Sequence, residues 1–472
     1  MDKPIQGITS DNSINEISAI FSYDNNIDNY KKELYEISGR TIEQLSNENS
    51  LLIYCGGHNK KDEVEKNCIF TIKNNDELET KNIAGFIGTK NTYLTIKSRF
   101  AESKEDYFLH YMLQKVFNIN ISHLEHGVDN KEALPFLPYL FKYFLEKALN
   151  QGLYKKYEWN YYNDSRIKGS IDIARHIKYN FMNNGKVAYN MREHSYDNNI
   201  TQLIRHTIEH IKDKPMYSFI LEDADIKPFI NTIINETPKY SKNNRQLIIN
   251  KNLKSHIHPY YSEYEPLRIL CLQILMEDEL LKYGSKESKI YGILFDVAWL
   301  WEEYLAIIIR NKYNGDILHP ENKTNSGKVK MLKDTWDIYP DFYSKEYNLV
   351  MDAKYKHMVE ISKIDRNDRN QIIAYMCILG VDNGIFIHPT DKKECEKEEK
   401  QVNKEYNNLL TDKKVIKYSF YIPQNIGNME KFKNEIKKSE DSFFNFIEAV
   451  KIIIQSKKNS KEKCRKINKK TT

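Results

Sequence analysis

The sequence has few cysteines, no long apolar run and little excess of either charge. Its six cysteines among 472 residues form no CxxC pair and no regular framework. This spacing argues against a disulfide scaffold and a cysteine zinc site, and it favours free thiols in a reducing compartment. No segment approaches the ~18 uninterrupted apolar residues of a membrane span, and the opening MDKPIQGITS lacks the apolar stretch of a signal peptide. We therefore expect a soluble, cytoplasmic protein with no membrane partner.

The charge of the chain is small and unevenly distributed. Lys and Arg number 71 against 66 Asp and Glu, a net charge of +5. Between residues 457 and 470 there are eight basic residues and one acidic residue, so the excess belongs to the C-terminal tail. Two interpretations of this tail stay open: non-specific contact with DNA, or a solvated polar extension without a function. Bulk attraction to nucleic acid is not expected to be the basis of the function.

The hydrophobic patterning contains no internal repeat and divides the chain into four regions. With 40% hydrophobic and 12% aromatic residues, the chain can build real cores. Short β-patterned runs precede a middle region with apolar residues at spacings of three and four, and helices alternate with strands from about residue 290. We predict a mixed α/β (α+β) fold. It comprises an N-terminal β-containing domain (1–100), a helical middle region (101–289), a C-terminal core of mixed sheet flanked by helices (290–425), and a closing helix with the basic tail (426–472).

Individual elements follow from the same patterns. A hairpin is predicted from 83–88 to 93–99, and a charged segment that is helical or mobile over 392–408. Helices are predicted over 132–150, 200–211, 265–282, 293–312, 366–379 and 442–456, and strands over 335–343, 347–355, 384–389 and 418–423.

The stretch 335–356 carries the clearest chemical pattern. Two apolar-patterned runs flank a short polar turn, which predicts an antiparallel hairpin. Asp352 and Lys354 are two apart on the second strand and share a face. A turn centred near 346–347 places Asp341 across from Asp352. Two carboxylates and one lysine are therefore expected to meet at one spot.

Two carboxylates held this close repel each other unless a cation lies between them. Mg²⁺ (or Mn²⁺) is the natural occupant because it prefers oxygen ligands, and the Ala353 carbonyl is a further candidate ligand beside Asp341 and Asp352. Lys354 supplies a positive charge suited to stabilising a pentacovalent phosphate. The set predicts hydrolysis of a phosphodiester. On the spacing alone, ordinary strand-end aspartates remain an alternative.

Two predicted helices supply further candidates. On the helical wheel of 293–312, Glu302 lies at the edge of the apolar face and can reach a site bordering the sheet; a surface salt bridge is its alternative. Gln371 and Tyr375 are four apart and share a helix face. They could hold a nucleic-acid backbone or the water shell of a metal ion, or be a capping amide and a half-buried core tyrosine.

The segment 154–180 interleaves aromatic and basic side chains, among them Lys168 and Arg175. Residues 151–190 contain seven basic and three acidic residues. One interpretation is neutralisation of phosphates together with stacking of bases. The other is a solvated face over an ordinary core.

These motifs resemble the PD-(D/E)xK nuclease superfamily. Within it, they resemble McrC, the nuclease-subunit family of McrBC-type restriction systems, which are 5-methylcytosine-specific or related. The likeness lies in Leu300-Trp301-Glu302, Pro340-Asp341, the DAKY of residues 352–355, the helix with Asp368, Gln371 and Tyr375, and the strand ending at Pro389. A second likeness covers 166–177 and 195–208, where Ser170 replaces a usually basic residue.

The resemblance implies roles for these residues. Asp341 and Asp352 would be metal ligands, Lys354 the catalytic lysine, Glu302 an auxiliary acid and Gln371 a positioning residue; Lys168, Arg175 and Tyr375 are the candidate DNA-binding residues. It implies a Mg²⁺-dependent DNA endonuclease subunit of a GTP-dependent restriction system for phage defence. The subunit would act with, and stimulate, a McrB-like AAA+ GTPase ring, bound through the N-terminal region.

The absence of a nucleotide-binding loop is consistent with this division of labour. The nearest approach, Ser326-Gly327-Lys328, lacks the first glycine and the final Ser/Thr of a P-loop. Two other functions stay open. One is a stand-alone PD-(D/E)xK repair or defence nuclease; the other is a non-catalytic activator of an AAA+ ring, against which the intact Asp-Asp-Lys set argues.

Overall fold

The computed structural model describes residues 4–21, 27–47, 51–56, 68–101, 106–119, 137–182, 184–283, 290–320, 329–332, 335–358, 361–392, 398–401 and 413–468. The chain divides into two compact units. The first unit comprises 1–4, 46–53 and 127–291, and the second comprises 5–45, 54–126 and 292–472. This division does not follow the four predicted regions, whose boundaries stay predictions.

The fold is mixed α/β, as predicted. The helices are α1 (Ile17–Ile20), α2 (Ile27–Ile37), α3 (Ile42–Ser46), α4 (Tyr107–Val116), α5 (Leu137–Asn150), α6 (Ile173–Asn180), α7 (Asn199–Lys212), α8 (Lys227–Glu236), α9 (Arg245–Asn252), α10 (Tyr264–Tyr283), α11 (Val297–Tyr313), α12 (Arg366–Leu379) and α13 (Met429–Asn468). None of the helices in the described ranges is long and apolar enough to span a bilayer.

The strands form several sheets. They are β1 (Ile5–Ser10), β2 (Ile14–Glu16), β3 (Leu51–Cys55), β4 (Phe70–Ile72), β5 (Glu77–Thr80), β6 (Ile83–Gly88), β7 (Thr92–Lys97), β8 (Lys156–Asp164), β9 (Ser170–Ile171), β10 (Val187–Ser195), β11 (Tyr291–Asp296), β12 (Val329–Leu332), β13 (Thr335–Ile338), β14 (Phe342–Ser344), β15 (Leu349–Ala353), β16 (Asn383–Thr390), β17 (Glu398–Gln401) and β18 (Lys414–Tyr421).

The first unit is mainly helical, as predicted for the middle region, and also contains a three-stranded sheet. Its strands are ordered β8-β10-β9, with both pairings antiparallel. Helix α7 begins with a capping box, in which the Asn198 side chain accepts from the Thr201 N–H and the Thr201 hydroxyl accepts from the Asn198 N–H. This reciprocal pair satisfies two backbone donors at the start of the helix.

The second unit contains two larger sheets. In one, β1 and β7 are parallel and β7 pairs antiparallel with β6, which confirms the predicted hairpin. The other has the order β14-β15-β16-β18-β17, and β16 is parallel to both neighbours, β15 and β18. Helix α12 packs on this sheet through Ile372 and Met376 against Val350 and Phe386. A Cβ at Gly384 would lie 2.5 Å from the Met376 sulfur, so a larger residue there would have to displace the side chains that pack the helix on the sheet.

Three sequence predictions are corrected. The helix predicted from residue 293 begins at Val297, because the apolar run before it is strand β11, and length alone cannot separate a buried strand from a helix in such a run. The charged segment 392–408 contains β17 at 398–401; its residues 393–397 and 402–408 lie outside the described residues, as does Ser326–Lys328. The closing helix α13 is longer than predicted and extends to Asn468, through most of the basic tail.

Candidate active site

The hairpin β14–β15 brings the two predicted carboxylates together. Its register pairs Phe342 with Met351 and Ser344 with Leu349, so the next position places Asp341 opposite Asp352, as the predicted turn requires. The hairpin turns through Asn348, whose φ of 50° is a left-handed conformation that asparagine tolerates.

Hydrogen bonds from two directions hold Asp341. Its Oδ2 accepts from the Ala353 N–H at 2.7 Å, which links the side chain to the facing strand. The ring of His319 donates from Nδ1 to the Asp341 carbonyl oxygen at 2.6 Å and stacks on Phe342. His319 was not among the predicted site residues, because it is distant in the sequence and no motif marks it.

The carboxylates repel one another electrostatically. Burial raises the pKa of Asp341 well above its ordinary value, and the charges of Glu302 and Asp352 raise it further. Burial also raises the pKa of Asp352, which is 4% exposed, although Lys354 opposes this. Glu302 is half-buried on α11, and its effect on Asp341 is the evidence that it belongs to this cluster.

The Lys354 ammonium group forms ion pairs with two carboxylates. Its Nζ lies 2.8 Å from Asp352 Oδ2 and 3.3 Å from Asp368 Oδ1. Burial alone would lower the pKa of Lys354, but these carboxylates outweigh it and raise the pKa above its ordinary value. The lysine is therefore a fixed positive charge at neutral pH.

Asp368 is a site residue to which sequence reasoning gave no role. Besides Lys354, it binds Lys356, whose Nζ lies 2.6 Å from Asp368 Oδ2. Burial would raise the pKa of Asp368, but the two lysines lower it below its ordinary value. Its position three residues before Gln371 on the predicted helix was the available signal.

The pair Gln371 and Tyr375 lies on α12 as predicted. The Gln371 amide donates from Nε2 to the Tyr375 hydroxyl at 3.0 Å. Tyr375 is only 9% exposed and belongs to the core under the helix. Burial raises the pKa of Tyr375, and the charges of Asp341 and Asp352 raise it too. The tyrosine therefore borders the carboxylates, with little surface free for a ligand.

The donor set fits a small hard cation. Within the described ranges, no group of three or more His, Cys, Asp or Glu side chains could hold a metal ion. An ion at this site would therefore have only two side-chain ligands, Asp341 and Asp352. The Ala353 carbonyl oxygen and water would complete its coordination. Mg²⁺ characteristically takes one or two carboxylates and keeps several waters. A bound cation would offset the charges of Glu302 and Asp352 that, after burial, raise the pKa of Asp341.

The other two predicted DNA-binding residues belong to the first unit. Lys168 is exposed between β8 and β9. Arg175, on α6, lies 3.8 Å from the Asp172 carboxylate, and its guanidinium lies 4.9 Å from the centre of the Tyr161 ring. Arg175 is thus partly engaged within its own unit.

These residues border an exposed apolar area, which we call the 157–182 surface. Tyr157, Trp159 and Tyr161 alternate along β8 and are 52%, 57% and 62% exposed, and the Arg192 guanidinium lies 4.7 Å from the Tyr157 ring centre. Seven more side chains are at least half exposed: Ile167, Ile171, Ile173, Ile177, Tyr179, Phe181 and Met182. The sequence indicated the aromatic and basic residues of this segment, but not that the intervening apolar ones also face solvent.

One family model matches this chain, and two solved structures show a likeness to it. The family described as "McrBC 5-methylcytosine restriction system component" matches residues 78–389, about two thirds of the chain. No curated protein matches. Two solved structures from Thermococcus gammatolerans are similar. A half-complex of a tetradecameric assembly of McrB AAA+ hexamers with bound McrC is 14% identical, with a TM-score of 0.48, and the match covers 93% of this chain and 100% of that one. The McrBC complex is 13% identical, with a TM-score of 0.29, covering 65% and 88%.

Proposed function

The chain belongs to the family of McrBC 5-methylcytosine restriction system components, and from this premise we propose that it is the nuclease subunit of such a system. It would hydrolyse DNA phosphodiesters at Asp341, Asp352 and Lys354, in the manner of the PD-(D/E)xK superfamily. The observation that carries the proposal is that the half-buried Asp341 faces the buried Asp352, with the Lys354 ammonium group 2.8 Å from Asp352.

Each residue of the cluster has a definable task in this reaction. Asp341, Asp352 and the Ala353 carbonyl would hold Mg²⁺ (or Mn²⁺), which, when bound, supplies Lewis-acid stabilisation of the charge that develops on the phosphate. Lys354 places a second positive charge beside the same phosphate.

Neighbouring residues support these groups. Asp368 restrains the Lys354 side chain from the α12 side, while Glu302 adds negative charge near Asp341. Gln371 is exposed and would donate to a phosphate oxygen or to water, with its amide oriented by the hydrogen bond to Tyr375.

Substitution within the cluster tests the nuclease assignment. Asp341→Asn, Asp352→Asn and Lys354→Ala should each abolish cleavage of DNA in the presence of Mg²⁺, GTP and the partner, while folding and partner binding persist. Glu346→Gln, in the turn of the same hairpin and 60% exposed, is the matched control and should cleave normally. Undiminished cutting by a cluster variant would refute the assignment.

We also propose that the chain works with an AAA+ GTPase and that the 157–182 surface contacts this partner. That the N-terminal region binds it as well stays a prediction. Isolated exposed apolar residues are common, but so many exposed Tyr, Trp, Phe, Ile and Met side chains within one segment, two of the rings in contact with Arg, are typical of a protein interface. Aliphatic side chains such as Ile173 and Met182 have little to offer a phosphate backbone. The prediction that Lys168 and Arg175 contact DNA stays a prediction.

Surface variants test this second part. Trp159→Ala combined with Phe181→Ala should weaken binding of the GTPase and reduce stimulation of GTP hydrolysis, with cleavage lost only in consequence. Leu247→Ala is the matched control, because Leu247 is 52% exposed in the same unit and lies outside the surface. If the double variant binds the GTPase normally but loses affinity for DNA, the surface is a DNA site.

The same assays separate the two alternative functions. Cleavage by the isolated chain with Mg²⁺ alone would identify a stand-alone nuclease. GTPase stimulation without any metal-dependent cleavage by the native protein would identify a non-catalytic activator.

A further inference from the structure

Strand β15 ends one residue before Lys354, the proposed catalytic lysine. β15 ends at Ala353, and Lys354 keeps one backbone bond to the neighbouring strand, from its N–H to the Ile387 carbonyl at 2.9 Å. Successive side chains of an extended chain project to opposite sides. Accordingly, Lys354 contacts Asp352 and Asp368. Tyr355 projects to the other side, where it contacts residues at the end of β7, and is 5% exposed.

A buried hydrogen bond fixes Tyr355 on that opposite side. Its hydroxyl lies 2.7 Å from the Ser98 hydroxyl, and Ser98, the residue directly after β7, has no exposed surface. The Ser98 oxygen also accepts from the Phe100 N–H at 3.1 Å.

The ring of Tyr355 is enclosed by the residues that follow Ser98. The Phe100 ring packs edge-on against it with centres 5.2 Å apart, and the Arg99 guanidinium lies 5.1 Å from its centre. Arg99 is itself held by the fully buried Asp11, with Nε 2.8 Å from Oδ2. Strands β1 and β7 are parallel, and their last residues, Ser10 and Lys97, are paired. Asp11 and Arg99 therefore lie just beyond two adjacent strand ends, which places them within reach of each other.

We propose that Tyr355 and Ser98 are positioning residues for Lys354, so that the β1–β7 sheet sets the place of the catalytic ammonium group. This inference rests on the proposed nuclease function. Tyr355 contacts none of the reacting groups; it anchors the backbone one residue after the lysine, where the strand ladder has ended. A displacement of about 1 Å can cost on the order of a hundredfold in rate, and catalytic groups need placement within about 0.5 Å.

The test is a double-mutant cycle on the full chain with its GTPase partner, GTP, Mg²⁺ and a DNA substrate. Tyr355→Phe keeps the enclosed ring and removes only the hydroxyl, and Ser98→Ala removes the other half of the bond. Each should lower kcat about tenfold with KM for DNA unchanged, as expected for partial misplacement. Ser98→Ala also removes the acceptor of the Phe100 N–H. The double variant should therefore be no slower than Ser98→Ala, because that change already breaks the bond to Tyr355.

Tyr111→Phe is the matched control. Tyr111 is also a buried tyrosine of the second unit, and its hydroxyl donates to the Glu440 carboxylate at 2.9 Å. This variant should lose thermal stability to a similar extent and keep the wild-type kcat. An unchanged kcat in Tyr355→Phe, equal losses in Tyr355→Phe and Tyr111→Phe, or independent losses from Tyr355 and Ser98 would each overturn the positioning role.

A second readout does not depend on cleavage. An amine-reactive ester should label Lys354 faster in Tyr355→Phe than in the native protein, measured by mass spectrometry, and no faster in Tyr111→Phe. Absence of cleavage by the native protein would count against the proposed nuclease function, whereas unchanged labelling of Lys354 in Tyr355→Phe would count against this inference alone.

Discussion

Replacing Asp341 by asparagine should make the metal-free protein more stable while it abolishes cleavage. The native carboxylate faces Asp352 across the hairpin and lies near Glu302, and both charges raise its pKa. Asparagine keeps the shape of the side chain, and its oxygen can still accept from the Ala353 N–H. The substitution therefore removes the repulsion and leaves the hydrogen bond intact.

The expected size of the gain follows from the geometry of the strand pair. Directly opposed residues have Cβ atoms about 5 Å apart, and two unit charges at that distance interact by about 3 kcal/mol at an effective dielectric constant of about 20. Because the positive charge of Lys354 offsets part of this repulsion, the gain that is realised should be about 1–2 kcal/mol. In a unit of this size that corresponds to an increase in Tm of about 2–6 °C.

The dependence on pH has a definite sign. The folded-state pKa of Asp341 lies above its unfolded value, so its stabilising contribution is complete below the unfolded pKa of about 3.9 and is lost as the pH rises through the folded pKa. Asparagine does not titrate. The difference in Tm between variant and native protein should therefore be small at pH 4 and grow towards pH 8.

Thermal unfolding in EDTA and in Mg²⁺ is the assay. Mg²⁺ should stabilise the native protein, by about 2.7 kcal/mol at a hundredfold excess over its Kd, and should stabilise Asp341→Asn far less. Glu346→Gln, exposed on the same hairpin, should behave as native in both buffers. A variant that is no more stable than the native protein at pH 8 in EDTA, or that gains equally from Mg²⁺, would refute the reasoning.

Three further predictions concern other parts of the chain. Asp368→Asn should lower kcat about tenfold in cleavage assays, because Lys354 loses one of the two carboxylates that restrain it; an unchanged kcat would contradict the restraint. Burial raises the pKa of Asp106 to about 7, so the free energy of unfolding should fall by up to about 4 kcal/mol between pH 4 and pH 7. Denaturant titrations should show a flatter profile for Asp106→Asn, and identical profiles would exclude Asp106 as the cause. Removal of residues 457–472 should modestly weaken DNA affinity and its dependence on salt, measured by fluorescence anisotropy, without loss of cleavage; an unchanged salt dependence would show that the tail makes no phosphate contacts.

The carboxylate pair could be predicted from the sequence because its geometry is local. Asp341 and Asp352 belong to one hairpin, whose alternation and turn fix the register, and α12 was predicted with its observed bounds of 366–379. The hydrophobic periodicity and the turn residues are enough to predict this hairpin and this helix without knowledge of the rest of the fold.

The remaining contacts join residues that are far apart in the sequence. The hydrogen-bonded residues His319 and Asp341 are 22 positions apart in the sequence, and Ser98 and Tyr355 are 257 positions apart. No helix or strand periodicity predicts a contact over such separations. The strand at 291–296 was missed for a different reason. A short apolar run that leads directly into a helix has no periodicity of its own, and its end at the capping Asp296 becomes evident only from the bonds to Ala298 and Trp299.

The separation between Ser98 and Tyr355 has a consequence for the order in which the site is assembled. The hairpin with both carboxylates needs only contacts between near neighbours, which form early in folding. The anchor after Lys354 needs the β1–β7 sheet, whose closure must overcome the entropy of a long loop. A chain with a folded hairpin but an unfinished N-terminal sheet would thus be able to bind a cation without holding its lysine in place. In the proposed nuclease, cleavage would then depend on completion of the whole fold, whereas cation binding would not.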